Sequence, residues 1–514
     1  MIAYLKYLRI AIGLLFLCVL TLAFLGISTP FLHAATWFQF IPSLLKFLIT
    51  LTAAGFLIII LLTFLVGRVY CSFICPLGIL QDIIARIGRF FRKRKIYRYS
   101  KPLNYLRNGV LVATVVSLFS GSILALVLLD PYSMYGKITT GLFRPAFVLI
   151  NDNLSKLLEN LHIFITPIGI KNFSLIALVW GIVLLVVLVL FSYQRGRLYC
   201  NTICPVGTLL GWISRLTIFK IRMLPNNCTR CGKCSSVCKS ECIDIRQQKI
   251  DFDRCVGCYN CLTACNENAL SLQPARIIKQ VATTDITNND SSRRSFLGVL
   301  VTGIVGTGVV ASIKAQTHDS DHKNSIPVHK KHTVTPPGSI SLEHFTAHCT
   351  ACQLCVSQCP THVLKPSIKE YGLNGFLMPY MSYAGSFCNY ECTVCTEVCP
   401  TGALLPLTVE QKKTLQIGKV NFIKENCIVY TSETSCGACA EHCPTAAVHM
   451  VPYKGFLRIP DTEQNICIGC GACEYACPAT PHKAIYVEGN PVHLQAQKPQ
   501  EKQQNNEAPT DFPF

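Results

Sequence analysis

The stretch GRVYCSFICPLG, residues 67–78, closes one of the most apolar segments of the chain, and GRLYCNTICPVG at 196–207 repeats it at the end of another. Each phrase sets two cysteines four residues apart, Cys71 with Cys75 and Cys200 with Cys204, a spacing that puts both sulfurs on one face of a helix. Pro76 and Pro205 come next, suited to the first turn of a new helix, where a missing N–H costs nothing. With Arg68 and Arg197 close by and a helix N-terminus beside them, the thiols favour the thiolate, the form that binds metal or does redox chemistry. Two readings of the four thiols stay open: one further iron–sulfur cluster, or a redox-active dithiol set.

Composition places these phrases in a membrane protein. Of 514 residues 50% are hydrophobic, and mean hydropathy is +0.38. Tyr7–Ile27, Leu44–Val66, Val110–Leu129 and Phe173–Phe191 each offer about 20 mainly apolar residues, the length of a membrane-crossing helix. The segment between the second and third carries Arg86, Arg89, Arg92, Lys93, Arg94, Lys95, Arg98, Lys101 and Arg107, whereas residues 28–43 hold no Lys or Arg. By the positive-inside rule the basic side, with both Cys-Pro phrases, is cytoplasmic. The net charge of +19 thus reads as topology and lipid contact, and a nucleic-acid partner is not expected.

The chain has 30 cysteines, too long a chain and too lipophilic for a disulfide scaffold, so metal ligation is expected. Cys228, Cys231, Cys234 and Cys238 have C-x2-C-x2-C-x3-C spacing, and Cys255, Cys258, Cys261 and Cys265 repeat it. In the two-cluster ferredoxin pattern three close thiolates and a fourth from the other motif hold each 4Fe-4S cubane. That pairs Cys228, Cys231 and Cys234 with Cys265, and Cys255, Cys258 and Cys261 with Cys238. Zinc prefers two separated C-x2-C knuckles. The usual proline is replaced by Lys239 and Asn266, and an extra Cys242 lies nearby. Further on, Cys349, Cys352, Cys355, Cys359 and Cys467, Cys470, Cys473, Cys477 keep the full pattern with a following proline. Cys388, Cys392, Cys395, Cys399 and Cys427, Cys436, Cys439, Cys443 open with longer gaps and also end in Cys-Pro. The expectation is six 4Fe-4S clusters, or seven if Cys71, Cys75, Cys200 and Cys204 hold another.

Between the two cysteine regions, Arg293 and Arg294 precede Phe296, Leu297 and a Gly-rich apolar run, which resembles a twin-arginine translocation signal placed internally. The resemblance implies that the C-terminal half is exported with its cofactors in place. DPYSMYGK at 130–137, GLFRPA at 141–146 and the paired Cys-Pro phrases resemble the NapH-type membrane ferredoxins, quinol dehydrogenase components for periplasmic nitrate reductase. The half after the twin arginines is similar to the MauM/NapG-type periplasmic four-cluster ferredoxins. By likeness to other four-cluster subunits, the outer two cysteine sets pair with each other and the inner two with each other.

The expected fold is a polytopic α-helical membrane domain, four spans plus a fifth signal or anchor helix, with α+β ferredoxin-like iron–sulfur modules. Its parts are a membrane domain at 1–215, a cytoplasmic two-cluster domain at 216–275, a linker and signal helix at 276–315, a flexible linker at 316–340, an exported four-cluster domain at 341–495 and a disordered tail at 496–514. The linker histidines His318, His322, His329 and His332 read as part of a solvated tether. The location is a bacterial cytoplasmic membrane, with 316–514 periplasmic. No histidine pair lies inside a span and no C-x-x-C-H occurs, so haem is not expected. About 30 Å of hydrocarbon then separates cytoplasmic from exported clusters with no fixed carrier between, and a diffusing quinone is the relay. Asp130, His33 and Trp37 are candidates for its site. The function expected is electron transfer from the quinol pool to a periplasmic redox enzyme or carrier in anaerobic respiration. The alternative is a redox regulator or maturation factor for a respiratory metalloenzyme.

Overall fold

In the computed structural model the described residues are 2–27, 31–52, 54–91, 97–159, 174–274 and 325–497, with a few positions between 160 and 173. Arg92–Lys95, the twin-arginine segment and the tail beyond 497 lie outside them.

Helix α1 (Ile2–Leu25) carries no charge after Arg9 and runs between the two cysteine-rich regions. Near its start Arg9 meets the 219–274 domain, and near its end the Ala23 carbonyl accepts a hydrogen bond from Gln358 Nε2 (2.7 Å) in the C-terminal domain. Fourteen residues separate these points, or about 20 Å along a helix axis. Thus the two cysteine domains sit at opposite ends of a helical body.

Two of the four expected spans are broken. The second becomes α3 (Phe40–Thr50) and α4 (Gly55–Val66), preceded by a short α2 (Leu32–Trp37). Leu51 turns left-handed at φ 56°, inside the small-residue run 50–55. After α5 (Tyr70–Phe73) and α6 (Pro76–Phe91), the third expected span divides into α7 (Asn104–Phe119) and α8 (Leu124–Leu129). Ser120-Gly121-Ser122 makes that break, with Gly121 at φ 79° and the Ser117 hydroxyl donating to the Ser122 carbonyl (2.6 Å). Twelve residues of α4 reach about 18 Å, short of a hydrocarbon core. Among the described residues two helices are long and apolar enough to cross a membrane, within α1 and within α11 (Leu175–Arg195).

Between them α9 (Pro131–Ile138) starts on an Asp130 cap, continues through a π-helical turn at Thr139–Phe143 and enters α10 (Arg144–Glu159). Beyond α11, α12 (Leu198–Thr202) and α13 (Pro205–Ser214) repeat the α5–α6 arrangement. The cysteine domains add short helices and five two-stranded antiparallel sheets. Phe219–Met223 pairs with Leu270–Pro274 in the first domain, and Leu415–Phe422 with Ile485–Gln495 in the second. The second half of the expected linker is part of the C-terminal domain. Val334 and Thr335 are buried, His332 and Val334 accept backbone hydrogen bonds, and the Lys330 ammonium lies 2.7 Å from Glu474.

One carboxylate ties the helical body to the 219–274 domain. Asp82 of α6 lies 3.2 Å from Arg9, 2.9 Å from Arg197 and 3.0 Å from Lys239. Burial pushes its carboxyl pKa up, and the charges of Arg197, Lys239 and Arg9 more than offset this, holding it well below the usual carboxylate range. Asp82→Asn leaves the fully buried Arg197 uncompensated, a change that costs about 3–5 kcal/mol. Thermal unfolding in detergent at pH 7 is expected to show a clear drop in Tm. A depressed carboxylate stabilises the fold above its ordinary pKa and loses that contribution as the pH falls, so the gap between wild type and variant narrows below about pH 4. A gap that stays constant with pH would count against the latch.

Candidate electron-transfer site

The repeated phrase builds a two-fold arrangement in which each half completes the other. Gly67 (φ 92°) and Gly196 (φ 64°) end α4 and α11 in left-handed conformations. The next residue crosses over. The Arg197 guanidinium donates to the Cys71 carbonyl, and Arg68 Nη2 donates to the Cys200 carbonyl (3.1 Å). Tyr70 and Tyr199 are buried side chains next to the first cysteines. Pro76 and Pro205 open α6 and α13, as the sequence predicts, and Cys204 is the N-cap, its sulfur accepting from Gly207 N–H (3.3 Å). A methyl group at Gly78 or Gly207 would overlap the carbonyl of Cys71 or Cys200, so only glycine lets the new helix pack so close.

All four sulfurs are thereby buried together, Cys71, Cys75, Cys200 and Cys204 each at 2–3% exposure. Cys75 feels the charges of Cys200 and Cys71, Cys200 that of Cys71, and Cys204 those of Cys200, Cys71 and Cys75. The thiolate expected from sequence is not what the free side chains favour. Burial pushes Cys75 and Cys204 upward, and Cys200 to about 11 despite Arg197 and Arg68. Four buried thiols become thiolates when cations neutralise them, and an iron–sulfur cluster does so. The second shell fits that group: the Arg68 Nη2 donor is 3.9 Å from Cys71 Sγ, and Gln81 Nε2 and Arg68 Nε are buried with no hydrogen-bond partner. Sulfide is an acceptor such donors lack.

The ferredoxin sets are gathered as well. Cys228, Cys231, Cys234 and Cys265 line one cavity, and Cys238, Cys255, Cys258 and Cys261 another, the two sets expected from spacing. Cys242 lines the second cavity too, 3.5 Å from Cys238 Sγ, a proximity that spacing did not reveal. In the C-terminal domain the pairing differs from the outer-with-outer expectation. Cys399 joins Cys349, Cys352 and Cys355, and Cys359 joins Cys388 and Cys395, with Cys392 beside them. Cys477 completes a cavity with Cys427, Cys436 and Cys439, and Cys443 joins Cys467, Cys470 and Cys473. Neighbouring sets exchange their fourth cysteine because each pair folds as one local unit. Among the described residues no three His, Cys, Asp or Glu groups converge as a single metal ion would require.

Four of these loops share a backbone device. The residues flanking the second cysteine are left-handed in each: Arg230 and Gly232, Gly257 and Tyr259, Ala351 and Gln353, Gly469 and Gly471. For the non-glycine members this costs about 1–3 kcal/mol each, and it turns successive N–H groups inward as a nest for an anion. A cluster carrying four thiolates is such an anion. The two sets with longer opening gaps lack the device at the equivalent place, Thr393 at φ −116° and Gly437 at φ −139°.

The sets form a row. Cys234 lies beside Cys261. From the second cavity, the Val256 carbonyl accepts from Ser72 Oγ (2.8 Å) and the Asp253 carbonyl from Arg68 (2.7 Å), which abuts the buried quartet. Beyond the quartet, Tyr199 and Tyr70 each feel its cysteines and Asp130, and Tyr132 feels Asp130, Cys352 and Cys399. Cys395 and Cys355 interact, Cys388 N–H donates to the Cys470 carbonyl (3.0 Å), and Cys473 and Cys439 interact. The quartet, the three tyrosines and Cys352 sit within one continuous buried core.

The three residues proposed for a quinone site are not brought together. Asp130 is 1% exposed and accepts from Ser133 N–H (2.8 Å) as a helix cap, whereas His33 and Trp37 are exposed on α2.

A model described as a 4Fe-4S binding domain matches residues 48–96 and again 176–223, each holding one Cys-Pro phrase. Two 4Fe-4S dicluster domain models match 348–404 and 434–481, the units seen in the pairing. The methylamine utilization ferredoxin-type protein MauM of Methylobacillus flagellatus is 32% identical over 34% of this chain and 74% of its own length. An uncharacterized protein of Methanocaldococcus jannaschii is 27% identical over 51% of this chain and 90% of its own. The ferredoxin-type protein NapF of Escherichia coli is 27% identical over 30% of this chain and 87% of its own. No solved structure matches the chain.

The pairing is testable one cysteine at a time. Cys399→Ser and Cys352→Ser are expected to alter the same EPR signal of the reduced protein, and Cys359→Ser a different one shared with Cys395→Ser. If Cys399→Ser instead shares its loss with a cysteine of the 427–443 set, the adjacent pairing is wrong.

Proposed function

The chain belongs to the ferredoxin-type 4Fe-4S proteins, the family of MauM, and from that premise we propose that it carries electrons through a membrane between the quinol pool and a redox enzyme or carrier at its C-terminal domain. The observation that carries this reading is the unbroken row of cysteine sets from Cys228 to Cys439 through the buried quartet. Bound 4Fe-4S clusters supply one-electron carriers at each station. The polypeptide would hold them in sequence, buries the quartet away from water, and sets Arg68 Nη2 3.9 Å from Cys71 Sγ, where hydrogen bonds to sulfur would tune a potential.

Membrane anchoring rests on α1 and α11, and orientation on the basic residues. Arg86, Arg89, Arg98, Lys101 and Arg107 stand on the side of the 219–274 domain, and by the positive-inside rule this supports a cytoplasmic 219–274 domain and an exported C-terminal domain. The NapH-like phrases support quinol as donor and the MauM-like half supports a periplasmic acceptor. A regulator or maturation factor has no need of a continuous row, so the conduit is the better account.

Iron analysis of anaerobically purified protein should give about 28 atoms per chain, seven cubanes, and a Cys71→Ser/Cys200→Ser variant about 24. Wild type at about 24 removes the central station. Stopped-flow mixing with a menaquinol analogue should bleach cluster absorbance within seconds. Clusters that stay oxidised with the analogue, yet bleach with a strong chemical reductant, would overturn quinol as donor.

A further inference from the structure

The quinol reading leaves open where such a molecule would meet the row, and the structure offers a place. A cleft of about 80 Å³, open on one side, lies where the helical body meets the C-terminal domain. One wall is the π-helical turn with the start of α10, a second is the N-terminal end of α11, and the third is the loop from Gln353 to Pro366. That loop carries Cys355 and Cys359, which belong to the two cysteine sets nearest the helical body.

Its polar groups converge from both partners. Arg144 Nη2 donates to His362 Nδ1 (3.2 Å), and Thr140 Oγ1 to Gln353 Oε1 (3.1 Å). Because arginine always donates, His362 accepts from Arg144 through Nδ1. Arg144 Nε is buried without a hydrogen-bond partner, so the guanidinium keeps an unused donor beside the cleft. The π-turn supplies one extra residue at this point of the helix, a distortion that is frequent at functional sites and here sets Thr140 and Gly141 on the cleft wall. Ser174 adds a hydroxyl to the lining, and Val148, Ala177, Val356 and Leu364 make its apolar part. Outside it, α10 and α11 expose Leu149, Ile150, Leu175, Ile176 and Val179, a surface for an apolar tail.

Polar donors and apolar side chains in one cleft, with a lipophilic surface beside it, match an amphiphile with a flat oxygen-bearing head. We propose that this cleft binds the head of a membrane quinol or quinone, with Arg144 donating to its oxygen, His362 positioning the guanidinium through Nδ1 and Gln353 fixing its edge. The inference rests on the quinol reading given above. Oxidation there breaks both quinol O–H bonds. The two protons would go to water at the cleft's open side, and two oxidised one-electron clusters, held by the Cys349–Cys399 and Cys359–Cys395 sets, would take one electron each to leave quinone. Arg144 stabilises the anion left by loss of the first proton.

The test uses the whole protein in detergent and an azido-naphthoquinone with a short tail. Irradiated with the wild type, the probe should label peptides containing Thr140–Val148 or Gln353–Pro366, and an excess of unmodified naphthoquinone should suppress the label. Arg144→Gln and His362→Gln, checked to keep the wild-type iron content and Tm, should each bind the probe at least tenfold more weakly, with Arg144→Lys nearer to wild type. Labelling confined to other segments, or variants that keep iron and bind as tightly as wild type, overturns the site while leaving quinol as donor intact. If wild type takes up no probe and is not reduced by menaquinol, the quinol reading falls and the site with it. If the cleft variants lose tightly held phospholipid by mass spectrometry but keep their probe affinity, the cleft is a lipid site and the proposal is wrong.

Discussion

The crossed pair of arginines is the interaction on which the rest of the structure depends. Arg68 and Arg197 are both fully buried, and each reaches the carbonyl at the first cysteine of the opposite phrase. Neither phrase can close its own loop without the other. Burying two guanidinium groups is expensive, and each is matched in a different way. Arg197 meets the Asp82 carboxylate, while Arg68 donates only to neutral oxygens of Asn201, Asp253 and Cys200 and keeps Nε unpartnered. No ion pair to Arg68 is formed among the described residues, and four sulfurs stand beside it. A cluster with thiolate ligands would supply the missing negative charge.

From this centre the body is built outward in both directions by backbone acceptors rather than by apolar contact alone. The 219–274 domain offers the carbonyls of Lys239, Ser240, Asp253 and Val256 to the repeated phrases. The C-terminal domain offers the Thr350 carbonyl to Ser133, and the Gln358 amide to the end of α1. Trp180 of α11 packs edge-on against Phe376, their centroids 5.2 Å apart. Directional bonds of this kind fix distance as well as affinity, and electron transfer needs fixed distance.

Much of the cysteine chemistry was legible in the sequence because ligand spacing is a local property. The first two cavities contain the predicted thiols, and the prolines after Cys75 and Cys204 do open helices. What sequence could not give was everything set by contacts across the chain. Hydropathy marked Leu44–Val66 and Val110–Leu129 as single spans, since a window average does not see one left-handed residue such as Leu51 or a Ser-Gly-Ser turn. The same averaging hid the interior path, because Tyr70, Tyr199, Asp130 and Tyr132 lie far apart in sequence and meet only when α8 and α9 pack into the bundle. Arg144 and His362, 218 residues apart, likewise carried no signal that would join them.

The pairing of the C-terminal sets shows how local folding decides a long-range property. Had the first set shared cysteines with the last, both ends of the domain would have to meet before either cluster could be held, at a large loop-closure cost. Exchange between neighbours lets residues 348–404, and residues 427–481, each assemble as a unit. It also orders the sets. The unit nearest the helical body presents Cys352 and Cys399 to Tyr132, and its second set is joined through Cys388 to Cys470 of the other unit. Both sets of the near unit thus lie at the helical body, and the Cys427–Cys477 set is left at the far end, which gives the conduit a direction.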